Sequence, residues 1–129
     1  AWYYEKGQYD NVLRLLLRVE YRDIRYVQGV KAILLRTYYD LEEYEPFLSL
    51  ADSFTQLLQR NKTLSEGRKR GFANLIRFAR RAFHLKMEMP FWTGEKADRE
   101  IRKLESEIEG TDNIFNRSWL LEKVGQLQA

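Results

Sequence analysis

The sequence predicts an all-α protein, built as a stack of antiparallel helix pairs with a capping helix at its C-terminal end. Residues 1–25 and 36–60 resemble each other at a shift of 35: Tyr3/Tyr38, Tyr4/Tyr39, Tyr9/Tyr44, Leu13/Leu48, Leu15/Leu50 and Arg25/Arg60 are identical. Fixed periods of about 20–50 residues mark arrays in which each unit buries its apolar face against its neighbours. Apolar residues also recur at helical spacing along most of the chain. No segment alternates polar and apolar residues for long enough to suggest a strand.

The elements follow in order. Tyr3 to Lys6 reads as the end of a helix closed by Gly7, and Tyr9–Val19 follows with Val12, Leu13, Leu16 and Val19 on one stripe. Asp23 can cap the next helix, because its carboxylate accepts from the unpaired amides of a first turn. That helix runs to about Leu41, with Val27, Val30, Leu34, Tyr38 and Leu41 as its stripe. A tight turn leads to a helix over Tyr44–Arg60, with Pro46 in the first turn, where a missing amide hydrogen costs nothing. Thr63 and Glu66 have the spacing of a capping box. They open a helix ending near Lys86, whose wide apolar face is Phe72, Leu75, Phe78, Ala79, Ala82 and Phe83. Gly67 and Gly71 weaken its first turns, each by about 1 kcal/mol relative to alanine. Met89 to Gly94 is the clearest break, since Pro90 pushes Met89 toward an extended backbone. A helix over Glu95–Glu109 then carries a narrow stripe at Ala97, Ile101, Leu104 and Ile108, and Gly110 stops it. The last helix, about Asn116–Gln128, shows Leu120, Val124 and Leu127. The chain thus reads as one domain of 129 residues: a partial first repeat at 1–22, helix pairs at 23–62 and 63–110, and a cap at 111–129.

Composition bounds the function classes. With 44% hydrophobic and 32% charged residues and two prolines, the chain has the makings of a packed core. Its longest purely apolar stretches, such as Ala32–Leu35, are far short of the roughly 18 residues of a membrane span. No signal-peptide pattern opens the chain, and there is no cysteine, so disulfides and thiol chemistry are excluded. The expected compartment is the cytoplasm. Ala1 opens directly onto helical sequence, so the chain reads as the C-terminal portion of a longer helical-repeat protein. Charge is uneven: residues 1–64 balance nine basic groups against nine acidic, residues 65–93 carry seven against two, and residues 94–129 carry six against eight.

The repeated segments resemble divergent tetratricopeptide repeats, whose period is about 34 and whose units are helix pairs marked W-x2-L-G-x2-Y, a turn tyrosine and A-x3-F. In the second unit Lys31, Leu34, Leu35 and Tyr38 occupy the first set, Tyr44 the turn, and Phe47 and Ala51 the last pair with large and small exchanged. In the first, Tyr3, Gly7 and Tyr9 fit, with Val12 and Leu16 for the last pair. Lys31 stands where the family has tryptophan, Leu35 where it has a small residue, and Ile24 and Gln59 where it has the closing proline. The resemblance implies a right-handed α-α superhelix whose first helices line a concave groove that holds peptides or partner helices. Some members grip a peptide carboxylate there. The matching positions here are Gly29, Ala32, Ile33 and Arg36, and only Arg36 suits that task.

Tyr4, Arg36, Tyr39 and Asp40 are therefore the groove candidates, against the plain alternative that the tyrosines pack between units. A second candidate is the basic helix face of Lys69, Arg70, Arg77, Arg80 and Arg81, which suits nucleic acid or acidic side chains unless it is simply a solvated face. Phe91, Trp92 and Trp119 are expected to plug gaps between helices, and the lone His84 to pack among Phe83, Leu85 and Met87. A single histidine without cysteine makes no multi-histidine metal site, and no nucleophile elbow or glycine-rich phosphate loop is present. Pairs such as Glu95/Arg99 and Lys103/Glu107 support exposed helices rather than acid–base chemistry. The expected function is a non-catalytic, cofactor-free protein-interaction module that binds a protein or peptide partner, or the rest of its own chain, in the groove. The alternatives are nucleic-acid binding through the basic helix, or an accessory domain of an enzyme whose catalytic part lies upstream. Weak self-association through the Ala97–Ile108 stripe is also open.

Overall fold

A computed structural model describes residues 24–127, which form five α-helices: α1 (Ile24–Asp40), α2 (Tyr44–Arg60), α3 (Glu66–Glu88), α4 (Gly94–Glu109) and α5 (Arg117–Gln126). A 3-10 turn, Met89–Phe91, follows α3, and there is no strand among the described residues. The expected all-α class is what the described residues adopt. The partial first repeat, with Tyr3, Tyr4, Gly7 and Tyr9, and the capping role of Asp23 lie outside the described residues. The chain separates into two compact units, residues 1–56 and 57–129.

In the first unit α1 and α2 run antiparallel. Lys31 Nζ donates to Ser53 Oγ at 3.3 Å, and the Tyr39 ring meets Phe47 edge-on at 6.3 Å, so the paired positions converge on the connection. The connection explains itself through its backbone. Glu42 N–H donates to the Tyr39 carbonyl and Glu43 N–H to the Tyr38 carbonyl, with Glu42 left-handed at φ 58°. These two bonds make a Schellman motif that satisfies the last carbonyls of α1. The buried face of α1 contains Val27, Val30 and Leu34 as expected. It departs from the rest of the stripe, because Tyr38 and Leu41 are only half-buried while Leu35, Gln28 and Thr37 are buried, Thr37 Oγ1 donating to the Ile33 carbonyl at 2.8 Å.

In the second unit α3 packs on α4, α5 and the 3-10 turn, and α4 packs on α5. All the residues expected on the apolar faces of α3, α4 and α5 are buried. The Ala97–Ile108 stripe is thereby used inside the unit, which corrects the idea that it is open to pair with its copy. One helix start differs from expectation. Ser65, not Thr63, caps α3, its side chain accepting from Arg68 N–H at 3.1 Å. Thr63 is engaged earlier, its amide and hydroxyl both donating to Asn61 Oδ1 in an Asx turn. Thr93 caps α4 in the same manner, accepting from Lys96 N–H. At the expected break, Met89 is helical rather than extended, with φ −57° and ψ −27°. Pro90 falls at the start of the 3-10 turn, where its missing N–H has no helical partner to lose.

One of the two glycines of α3, Gly71, is explained by the segment that follows α4. Asn113 Nδ2 donates to the Gly67 carbonyl at 2.6 Å, Phe115 N–H to the Gly71 carbonyl at 3.2 Å, and Asn74 Nδ2 to the Asn113 carbonyl at 2.8 Å. The Phe115 ring lies against Phe72, tilted by 45°, at 4.3 Å between centroids. A Cβ at position 71 would sit 2.8 Å from Asn113 Oδ1 and 2.9 Å from the Phe115 ring, and both groups are held by the contacts just given. A Cβ at position 67 would meet only Asn113 Nδ2, at 4.0 Å. So the two glycines, alike in sequence, should part on mutation. Gly67→Ala is expected to raise stability by up to about 1 kcal/mol through helix propensity. Gly71→Ala is expected to lower it by about 1–2 kcal/mol, because overpacking exceeds that gain. Urea unfolding of the two variants checks this, and a Gly71→Ala protein more stable than wild type would refute the close-approach account.

Candidate interaction surfaces

The groove candidates of the first unit lie on or around α1. At about 100° per residue, Tyr26, Gly29, Ile33, Arg36 and Asp40 fall within a band of about 80°. Tyr26, Gly29 and Ile33 are exposed, and Arg36 and Asp40 are half-buried. A Cβ at Gly29 would meet nothing within 4 Å, so the middle of the stripe is open to close approach. Arg36 Nε is closed off from solvent without a hydrogen bond among the described residues. Tyr39 is a correction to the groove set. It is 2% exposed, it packs on Phe47, and burial pushes its hydroxyl well above the usual tyrosine range, helped by the charges of Asp40 and Glu42. One step of 100° from Asp40 takes Tyr39 off the outer stripe and into the core. Tyr4 lies outside the described residues. Lys31, the residue at the family's tryptophan position, is partly buried, and that burial lowers its pKa.

The basic face of the second unit is less uniform than its sequence. Arg81 is committed to Glu107 of α4 at 2.5 Å. Its hydrogen bond holds the Glu107 carboxyl below the usual range; desolvation opposes this, and the charges of Arg81, Lys103 and Arg77 add to the lowering. Lys69 lies 3.8 Å from Glu66, and Arg80 is half-buried with contacts of its own. Arg68 sits over the Phe72 and Phe115 rings. Arg70 and Arg77 remain exposed, Arg77 with its guanidinium 4.4 Å from the centroid of the Phe78 ring. The Glu107 partner expected from spacing was Lys103, and the contact made across helices is Arg81.

Two further residues depart from the packing roles expected of them. His84 is exposed, because it points midway between its buried neighbours Phe83 and Leu85, away from the core. Phe91 is 84% exposed on the 3-10 turn, which Trp92 N–H closes by donating to the Met89 carbonyl at 3.0 Å. Met87 beside it is exposed too, while Trp92 is half-buried with Lys96 Nζ 4.3 Å from its ring centroid. Trp119 is half-buried. The available signal for Phe91 was its seven-residue step from His84, hidden by reading Pro90 as a break.

Among the described residues no group of three or more His, Asp or Glu side chains is placed to hold a metal ion, and no helix is long and apolar enough to cross a membrane. Comparison with protein-family models, curated proteins and solved structures yields no match to this chain.

Proposed function

We propose that the chain is a non-catalytic interaction module of a divergent, tetratricopeptide-like helical array, and that the outer stripe of α1 receives a peptide segment of a protein partner. The observation that carries this reading is the run Tyr26–Gly29–Ile33–Arg36 on one face of α1, with two large apolar side chains exposed around an open glycine. Aromatic residues and arginine commonly carry interface energy, and a glycine lets a peptide backbone come close. The chemistry fits a short segment with an apolar side chain for Tyr26 and Ile33 and a carboxylate for Arg36. Tyr39 has no contact role in this reading; its ring belongs to the core, against Phe47.

A display selection of random peptides against the protein, followed by anisotropy titration of the selected sequences, tests it. Ile33→Asp/Arg36→Ala should weaken binding at least tenfold, about 1.4 kcal/mol, while the unfolding midpoint stays close to wild type. Selected peptides that bind the double variant as tightly as the wild type would place the site elsewhere.

A further inference from the structure

We propose that the outer edge of α3, from Arg70 to Phe91, is a binding site for single-stranded nucleic acid. Arg70, Arg77, His84 and Phe91 follow one another at seven-residue steps, and all four are exposed. A step of seven residues falls about 20° short of two helical turns, so the four side chains trace one slowly winding stripe. α3 ends at Glu88, and its path is carried on to Phe91: Met89 keeps helical dihedrals, its N–H donates to the Leu85 carbonyl, and the 3-10 turn Met89–Phe91 follows directly. At 1.5 Å per residue the stripe is about 30 Å long.

Charge and shape select the occupant. The sequence of α3 carries seven lysines and arginines against two glutamates. Arg81 is consumed by Glu107, so the phosphate-facing cations are Arg70 and Arg77. Among the described residues Arg70 and His84 have no ionic or hydrogen-bond partner to give up. Single strands are held by a basic track that follows the backbone together with aromatic rings on which bases stack. Phe91 supplies such a ring at one end of the track, held out by a closed turn behind a proline. The aromatics within α3, Phe72, Phe78 and Phe83, are buried and take no part. A duplex hides its base faces and would leave the Phe91 ring unused. An acidic protein would use the arginines but gains nothing particular from a ring that stands out alone. At about 3.4 Å per stacked nucleotide the stripe suits on the order of nine nucleotides.

The test is an anisotropy titration of the full chain with labelled oligouridylate and oligothymidylate of about 12 nucleotides, and with a duplex of equal length, at about 50 and 200 mM salt. The single strands should bind more tightly than the duplex, and the two sugars show which strand is preferred. Phe91→Ala should weaken single-strand binding on the order of tenfold and leave the duplex unaffected, whereas Phe91→Trp should retain it. Arg70→Ala/Arg77→Ala should flatten the log–log salt slope by about 1.4, the share of two phosphates on a single strand. All three variants change exposed residues, so their unfolding midpoints should match wild type. No binding at the lower salt, unchanged single-strand affinity in Phe91→Ala, or a poly-glutamate peptide bound as tightly as the oligonucleotides would each overturn the proposal.

Discussion

Tyr39→Ala is expected to lower stability by about 3 kcal/mol or more, the range of large-to-small changes in a packed core. The residue looked like a binding contact because it repeats Tyr4 and lies near Arg36. Its surroundings say otherwise. The ring is 2% exposed and packed on Phe47, itself fully buried, at the point where α1 and α2 are drawn together by the Glu42–Glu43 turn. Arg36→Ala, by contrast, removes a half-buried side chain and should cost no more than about 1 kcal/mol, mostly through its stem. Urea unfolding followed by far-ultraviolet circular dichroism separates the two. Equal, small losses would return Tyr39 to the surface. The hydroxyl adds a pH signature. Its folded pKa is raised above the unfolded value of about 10, so its contribution is complete below that pH. Above about pH 10 the unfolded chain loses this proton first, and stability falls with rising pH. Tyr39→Phe should flatten that fall.

The fold was legible where a stripe alone determined burial. The apolar faces of α3, α4 and α5 follow from periodicity, and the limits of α2 and the stop of α4 at Gly110 agree with local turn chemistry. What periodicity missed was settled by side-chain contacts, some of them distant in sequence and some local. Gly71 reads as a weak helix position, yet it accommodates Asn113 and Phe115, which lie more than forty residues on. Ser65 took the cap because the neighbouring Asn61 had already drawn Thr63 into a turn. The site was half legible. The arginines of α3 were visible as a row, but which of them face water depended on Glu107, whose ion pair is made with Arg81 of another helix. Phe91 was hidden by a proline rule that holds inside helices and fails at a first turn.

Arg117→Ala should cost about 2–3 kcal/mol, although every local rule says it should help. Arg117 is the first residue of α5, where a cation opposes the helix dipole and alanine is the better helix former. Asn116 before it is left-handed and offers no side-chain cap, so this helix start is poor by its own sequence. The compensation is tertiary. The Arg117 guanidinium donates to the carbonyls of Ile108 at 2.8 Å and Asp112 at 2.7 Å, and also to that of Thr111. The first of these lies in the last turn of α4, where it also accepts from Thr111 N–H at 3.2 Å and where a positive charge is favoured, so one side chain closes one helix while opening the next. Hydrogen bonds to a charged group contribute about 1.5–3 kcal/mol each when they stand alone, and three sharing one half-exposed guanidinium amount to less than their sum. Lysine distinguishes charge from shape. Arg117→Lys keeps the cation but loses the planar fork that reaches three acceptors at once, so it should recover less than half of the loss. Recovery of most of it would mean that the dipole alone accounts for the effect. No loss in the alanine variant would mean that water satisfies these carbonyls as well as the arginine does.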